Sequence, residues 1–491
     1  MDYETVIGLE VHVQLDTRSK MFCSCRADYQ AAPTNSRVCP VCLGLPGTLP
    51  VINKRAVEYT IMTGLALNCR IPEHSKFDRK NYPYPDLMKG YQISQYDLPL
   101  AVDGYLDVVA DGQENHVGIE RVHLEEDVAK LHHFPDAPGE SYSLVDVNRS
   151  GVPLMEVVSA PDLRSPEQAR AYLMKLHSIL QYLGVSTANM QDGSFRCDAN
   201  ISLRPVGSTQ LGTRSEVKNM NSFRSVYMAL VHEVERQRGI LEDGGKVVQE
   251  TRGWVEQRNV TVSQRSKEYA HDYRYFPEPD LPPLVIDPAW VEDIRSGLPE
   301  LADQRRKRLA QQYGLSDYDA GLLTSSQAMA DYYEAAVGSK QLAGQALEKF
   351  AKQASNWILG DLSRLLNIEH QDIGQTRVSP AHLVQLIDLV EQGVLGTTTA
   401  KTVLEEVFYS GGMPEQIVHD KGYVQIDDDA VVASAVSQAI ESNPKAVDDY
   451  LQGKDTAARF LVGQVMKITG GRAKPDLVNR LIQEGLEALK N

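Results

Sequence analysis

Long apolar runs are missing from this chain. No stretch approaches the roughly 18 apolar residues of a membrane-spanning helix. The N-terminus, Met1-Asp2-Tyr3-Glu4, is acidic and strand-like, unlike the basic and apolar start of a secretory signal. A soluble, cytoplasmic protein with no membrane attachment is expected. Positive charge is in deficit: 50 Lys and Arg face 66 Asp and Glu, a formal net charge of −16. That balance argues against broad, non-specific phosphate binding but leaves room for local basic patches on an acidic body. Acidic residues also supply ligands for hard cations such as Mg²⁺. Two common signatures are absent as well. Gly396-Thr397-Thr398-Thr399-Ala400-Lys401-Thr402 echoes a P-loop but has no second glycine and no preceding strand, and no G-x-S-x-G elbow occurs. Any ATP is bound without a P-loop.

Cysteine is scarce, yet four of the six cluster as Cys23-Ser24-Cys25 and Cys39-Pro40-Val41-Cys42, with Cys69 and Cys197 alone. In a cytosolic chain such short-range pairs favour metal over disulfide. Four thiolates suit a tetrahedral Zn²⁺ with no open position, a structural staple rather than a catalyst. The alternative is a set of buried, incidental thiols.

What is present in ordinary amounts is also informative. Hydrophobic residues at 42% and charged residues at 24% exclude a mainly disordered chain, and 491 residues need two to four domains. The first part is strand-rich: Thr5 to Leu15 alternates around Val11 and Val13. Gly104 to Val109 and Val117 to Val128 follow as strands, with turns at Asp103-Gly104 and Asp111-Gly112. One helix starts at Ser165-Pro166-Glu167-Gln168, with Ser165 as cap and Gln168 completing a capping box, and stops at Gly184. Another runs from about Ser222 to Leu241 with Val226, Leu230, Val231 and Val234 at helical spacing. After the proline-rich passage Phe276 to Pro288 the pattern from Val291 onward is helical. A second break falls at Gly411-Gly412-Met413-Pro414, and an amphipathic helix closes the chain from Pro475 to Leu489. The fold class is α+β: a strand-rich domain, a helical middle and a small helical tail.

Glu10 and His12 sit two apart on the first strand, so both project from one face. A carboxylate and an imidazole among apolar neighbours are costly unless a divalent metal or an anionic substrate compensates them; the plainer reading is an exposed polar face. His123, Glu125 and Asp127 share a face of a later strand, preceded by Arg121, and Glu156 interrupts the apolar run Val152 to Val158. Several carboxylates and one imidazole at apolar strand positions point to a Mg²⁺ site. Gln191 to Asn200, including Asp192, Arg196 and Asp198, reads as a turn entering a strand. The segment Lys76 to Gln95 mixes basic and aromatic residues around Lys80, Tyr82, Pro83, Tyr84, Pro85 and Lys89, and its prolines force an extended loop. Its lysines could bind phosphate and its tyrosines could stack on a base or pack into the core. A similar set recurs at His271 to Asp280.

The runs Ile7 to His12, Lys76 to Gln95, His123 to Asp127, Asn148 to Pro153, Ser194 to Asn200, His271 to Asp280 and Phe460 to Met466 resemble the B-subunit family of the glutamyl/aspartyl-tRNA amidotransferases. The likeness covers essentially the whole chain and fits the shorter bacterial or organellar form, without the inserted domain of the archaeal-type relative. It implies a cradle-shaped catalytic domain over 1–293, a helical domain over 294–410 and a tRNA-binding tail over 411–491. It implies ATP-dependent phosphorylation of the side-chain carboxylate of Glu-tRNA(Gln) or Asp-tRNA(Asn). Amidation would follow, with ammonia from a glutaminase A subunit, in a heterotrimer completed by a small C subunit. His12, Glu125 and Glu156 would ligate Mg²⁺, with Glu10 beside them or at a second ion. Lys80 and Lys89 would contact phosphate or line the ammonia path, Arg196 would contact the nucleotide, and Asp192 and Asp198 would line that path. Departures from the family pattern fall at Gln14, Pro83, Met88 and Ala160. The rival reading is a tRNA-binding scaffold, with Lys454, Arg459, Lys467, Arg472, Lys474 and Arg480 of the tail as phosphate contacts.

Overall fold

The computed structural model describes residues 2–134, 142–266, 273–423, 428–452, 454, 456–470 and 472–489. The chain divides into two compact units, Met1–Leu301 and Ala302–Asn491. No helix among the described residues is long and apolar enough to cross a membrane.

The first unit is built on an eight-stranded sheet. Its strands are β1 (Tyr3–Gln14), β2 (Ala101–Ala110), β3 (Gln113–Glu126), β4 (Pro153–Ser159), β5 (Phe195–Pro205), β6 (Ser215–Met220), β7 (Glu250–Val255) and β8 (Val260–Ser266). They lie in the order β8-β7-β6-β5-β1-β4-β3-β2, antiparallel throughout except for β6 against β7. β1 is thus a central strand, paired along its length with β5 and over Glu10 to Gln14 with β4.

Period-two alternation sorts the residues of these strands to two faces. One set is apolar and fully buried: Ile7, Leu9, Val11 and Val13 of β1, Val122 and Leu124 of β3, Met155 and Val157 of β4, Ala199 and Ile201 of β5, Val217 of β6. Helices α1 (Lys54–Ala66), α2 (Pro166–Tyr182) and α3 (Phe223–Glu242) cover that face, contributing Ile61, Leu173, Leu176, Val226 and Leu230 to the same core. Each such side chain stabilises the fold by about 1.5–3 kcal/mol on burial. The other face carries the charged residues.

Both expected helices are present. Ser165 accepts the Gln168 N–H at 3.1 Å as the expected N-cap, but the Gln168 side chain bonds the backbone N–H of Arg164 at 2.7 Å instead of closing a box on Ser165. Ser222 caps α3. The turn expected at Asp111-Gly112 joins β2 to β3 with φ of 54° and 73°, the mirror-image turn that an antiparallel hairpin needs. The chain does not reverse at the turn expected at Asp103-Gly104: β2 continues through both residues, with a local irregularity at Asp103, φ 55°. Gly104 is required there by close packing, because a Cβ would overlap Cys69 Sγ and the Leu67 carbonyl. That contact also explains the lone Cys69.

A three-stranded sheet formed by Phe276–Pro277, Asp78–Asn81 and Tyr91–Ser94 places the basic and aromatic segment. Arg79 clamps it with two 2.7 Å bonds to Glu278 and lies over the Tyr91 ring at 4.3 Å. Gln92 donates to the Glu126 carbonyl at 2.7 Å, tying it to the end of β3. His271 and Asp272 lie outside the described residues.

The second unit is helical, from Ala302–Tyr313 to Pro475–Ala488. It holds one core from Leu309 to Val418 and another from Val432 to Leu486. Gly411, at φ 74°, ends the helix Thr397–Ser410, and Pro414 opens the next. In the closing helix Val478, Ile482 and Leu486 form the buried stripe.

Candidate active site

Sheet register brings the scattered polar residues into rows. His123 of β3, Glu156 of β4, His12 of β1 and Arg196 of β5 are direct neighbours across four strands. Two residues along, Glu10 lies opposite Asp198. His12 Nε2 is 3.5 Å from Glu156 Oε2 and 3.6 Å from Glu125 Oε1, and His123 Nε2 is 3.3 Å from Glu156 Oε2. Glu125, Glu156 and His123 are buried, while His12 is partly open. Burial opposes the Glu156 charge, but the His123 and His12 imidazoles outweigh it and hold its carboxyl well below the ordinary range.

The cluster opens into a cleft of about 460 Å³ lined by Lys80, Tyr82, Glu125, Arg196, Asp198 and Lys218 among others. Lys80 rises above the ordinary lysine range: burial works against its charge, and Glu125, then Tyr275 and Tyr82, overcome it. Its ammonium also lies 5.2 Å from the centre of the Tyr273 ring and 5.8 Å from that of Tyr82. Arg196 donates to Asp127 at 2.9 Å. Asp127 also receives the Gln14 amide at 2.6 Å; the uncommon Gln14 therefore donates where a glutamate would repel.

A second acidic group joins Glu10, Asp198 and Glu216. The Glu10 carboxyl is pushed up by burial, then by Glu156 and Asp198, with His12 opposing. Asn200 donates to it at 3.0 Å, and Lys218 pairs with Asp198 and Glu216. Glu216 and Lys218 escaped the sequence reading. The signal was there, since Ser215-Glu216-Val217-Lys218 alternates polar side chains with buried ones.

Two of the expected residues stand apart. Lys89 bonds Glu126 at 2.5 Å in a separate cavity of about 220 Å³ beside Cys23 and Cys42. Asp192 is exposed and accepts the Ser194 N–H at 2.9 Å, serving its own turn. In the tail, Lys454 pairs with Asp449 and Arg480 with Asp429, Arg472 bonds the Gly422 carbonyl, and Arg459 and Lys467 are exposed.

Among the described residues, three groups have the donor atoms of a metal site, each within 4.8 Å of one another: His12, Glu125 and Glu156; Glu10, Asp198 and Glu216; and Cys23, Cys25, Cys39 and Cys42. The first suits a divalent cation, because buried Glu125 Oε2 has no hydrogen-bond partner among the described residues, a cost that coordination would remove. The cysteine group fits by dimension. Tetrahedral metal–sulfur bonds of about 2.3 Å put the sulfurs about 3.8 Å apart, and Cys39 and Cys42 Sγ are 3.8 Å apart.

A charged sheet face with a metal-type cluster beside lysines defines an enzyme-like cleft of the α+β class. Comparison with known families narrows this. Residues 5–292 match the GatB/GatE catalytic domain and residues 340–486 the GatB domain. The chain is 57% identical over 487 residues to the B subunit of the aspartyl/glutamyl-tRNA(Asn/Gln) amidotransferase of Dehalococcoides mccartyi (strain CBDB1), covering 99% of both chains. It is 57% identical over 486 residues to the corresponding protein of Moorella thermoacetica, covering 99% of this chain and all of that one. With that of Thermodesulfovibrio yellowstonii the figures are 52% over 482 residues, 98% and 99%. The chain belongs to the GatB/GatE family.

Proposed function

We propose that this chain is the B subunit of a tRNA-dependent amidotransferase that converts Glu-tRNA(Gln), Asp-tRNA(Asn) or both to the amide. It would work in the cytoplasm with a glutaminase A subunit and a small C subunit. The observation that carries this reading is the His12, Glu125 and Glu156 cluster opening into a cleft beside Lys80, on a chain alike end to end with named B subunits.

The chemistry has two steps. A carboxylate oxygen of the tRNA-borne Glu or Asp bonds to the γ-phosphorus of ATP as ADP leaves; ammonia then bonds to the acyl carbon, phosphate leaves, and one proton is lost. Mg²⁺ held by His12, Glu125 and Glu156, with a second cation at Glu10, would neutralise charge gathering on the phosphoryl oxygens. Lys80 lies in the cleft wall and keeps its proton, so it can hold a phosphoryl or acyl oxygen without reorganising. Arg196, fixed by Asp127, lines the cleft, where its guanidinium would donate to the nucleotide. Lys218 pairs with Asp198 and holds its carboxylate in place. Lys89 and Glu126, in their own cavity, would hand ammonia along a sheltered polar path, and Asp192 is a weaker candidate for the same path. Zn²⁺ in the four-cysteine group would staple the loop from 23 to 42. The tail, taken as 411–491, would hold the tRNA.

The test uses the full complex, Glu-tRNA(Gln), ATP and ammonium chloride in place of glutamine. His12→Ala should lower amidation at least about 100-fold, the upper end of what loss of even an outer partner costs a metal site. Normal amidation by this variant sinks the assignment, and a wild-type complex that only binds tRNA supports the scaffold reading.

A further inference from the structure

The loop between the two cysteine pairs is pinned to the turn at 145–149 by two reciprocal amide contacts. Asn35 accepts the Val147 N–H at 2.7 Å and donates to the Val145 carbonyl at 3.1 Å. Asn148 accepts the Arg37 N–H at 2.7 Å and donates to the Pro33 carbonyl at 2.8 Å. Held in this way, the loop delivers Tyr29 to the end of β1. The Tyr29 hydroxyl lies 3.0 Å from Gln14 Nε2 and donates to Gln14 Oε1 at 3.2 Å. Gln14 Nε2 donates to Asp127 Oδ2 at 2.6 Å, and the same carboxylate oxygen accepts Arg196 Nη2 at 2.9 Å. Four side chains therefore form one line from the cysteine loop to the active cleft, whose wall includes Arg196.

Gln14 follows Glu10 and His12 on the same face of β1 by period two, but it serves the frame of the site. Gln14 and Asp127 are both buried, at 6% and 2% exposure. An amide suits the middle of the line, because it donates to a carboxylate and accepts a hydroxyl proton at once; neither a carboxylate nor an ammonium can do both. On its other side Asp127 is set by the Val128 N–H, which reaches Oδ1 at 2.9 Å. Gln14 thus governs Oδ2, the oxygen that Arg196 uses. In a buried network each bond holds its neighbours, so removing one end is felt at the other.

We infer that Tyr29 is a positioning residue of the catalytic centre: through Gln14 and Asp127 it sets where the Arg196 guanidinium stands in the cleft. The inference rests on the amidotransferase reading, in which Arg196 meets the nucleotide. In the full complex, with ammonia supplied, kcat and KM for ATP are measured for wild type, Tyr29→Phe, Gln14→Met, the two together, and Arg196→Ala. Equilibrium dialysis gives Kd for ATP on the same proteins. Tyr29→Phe removes a hydroxyl and keeps the ring, so its thermal midpoint and metal content should match wild type. Its KM and Kd for ATP should rise about threefold, within what one neutral hydrogen bond is worth, with kcat within about twofold. Gln14→Met should raise both at least as much, and adding Tyr29→Phe to it should change nothing more, because the line is already cut. Factors that multiply in the double variant, with a lowered thermal midpoint, mean that Tyr29 only props the fold, and they overturn the inference. So does an unchanged KM in Tyr29→Phe where Arg196→Ala raises it, or an Arg196→Ala protein with both ATP constants intact. A wild-type complex that binds ATP but never amidates overturns the functional reading, and the same cycle in Kd still decides the role of Tyr29.

Discussion

Glu233 shows at residue scale how this fold treats a buried charge. It is completely buried on α3 and receives both Arg236 and Arg252, at 2.8 and 3.0 Å, as well as Thr261 and Gln237. Burial alone would raise its pKa; Arg236, then Thr261, reverse this and leave it below the ordinary value. A lowered carboxylate pKa contributes stability that is complete above the unfolded-state value of about 4.3. That stability is lost as pH falls through the folded-state value. Glu233→Gln should therefore cost about 3 kcal/mol at neutral pH, the lower end for a broken buried pair, because Arg236 loses its carboxylate partner while Arg252 keeps Glu250. It should also remove the part of the acid-induced loss that wild type shows below pH ~4. Chemical denaturation midpoints at pH 7 and across the acid range check both. At the active cluster the residues themselves were legible, since Glu10, His12, Glu125 and Glu156 break apolar patterns. Which of them come together was not: Glu10 keeps company with Asp198 and Glu216, a pairing that needs the β1–β5–β6 register.

At the scale of the element, β1 and β2 show both sides of sequence reading. β1 was legible as a strand because strict alternation gives one apolar and one polar face; its central place, and the neighbours of its polar face, came from the sheet order. The Asp103-Gly104 turn was misread because a glycine required by a neighbour looks the same in sequence as one required by a turn. Gly104→Ala should destabilise the first unit by about 1–3 kcal/mol, the usual cost of overpacking, read as a lower thermal midpoint. If the variant is as stable as wild type, the close approach of Cys69 is not what requires glycine. The Gln168 side chain carries a similar lesson. Its presence three residues past Ser165 is a capping signature, but an amide has enough reach to choose Arg164 instead.

For the whole molecule, the cysteine group makes the most direct prediction. About one zinc per chain should be found by elemental analysis, and strong chelation should loosen residues 20–50 to proteolysis before it affects the second unit. A metal-free protein with full activity and an intact loop counts against the staple. The tail makes another. A net charge of −16 leaves tRNA little general attraction, so binding should depend on few cations and have a shallow salt slope. Arg459→Ala with Lys467→Ala should weaken tRNA binding and flatten that slope by about one to two units, without changing KM for ATP. The other tail cations are weaker candidates than composition suggested, because Lys454 and Arg480 already face acids of their own chain.

By itself the sequence determined the strand-then-helix order, the apolar face of the sheet, the four-cysteine group and the family. Each is written in local periodicity, spacing or a contiguous motif. Only the tertiary structure decided that Lys80 and Lys89 serve different cavities, that Asp192 stays at its own turn, and that Glu216 and Lys218 belong to the site. These depend on which strands become neighbours and in what register, and one residue of slip would turn Lys80, Glu216 and Lys218 to the other face of their sheets.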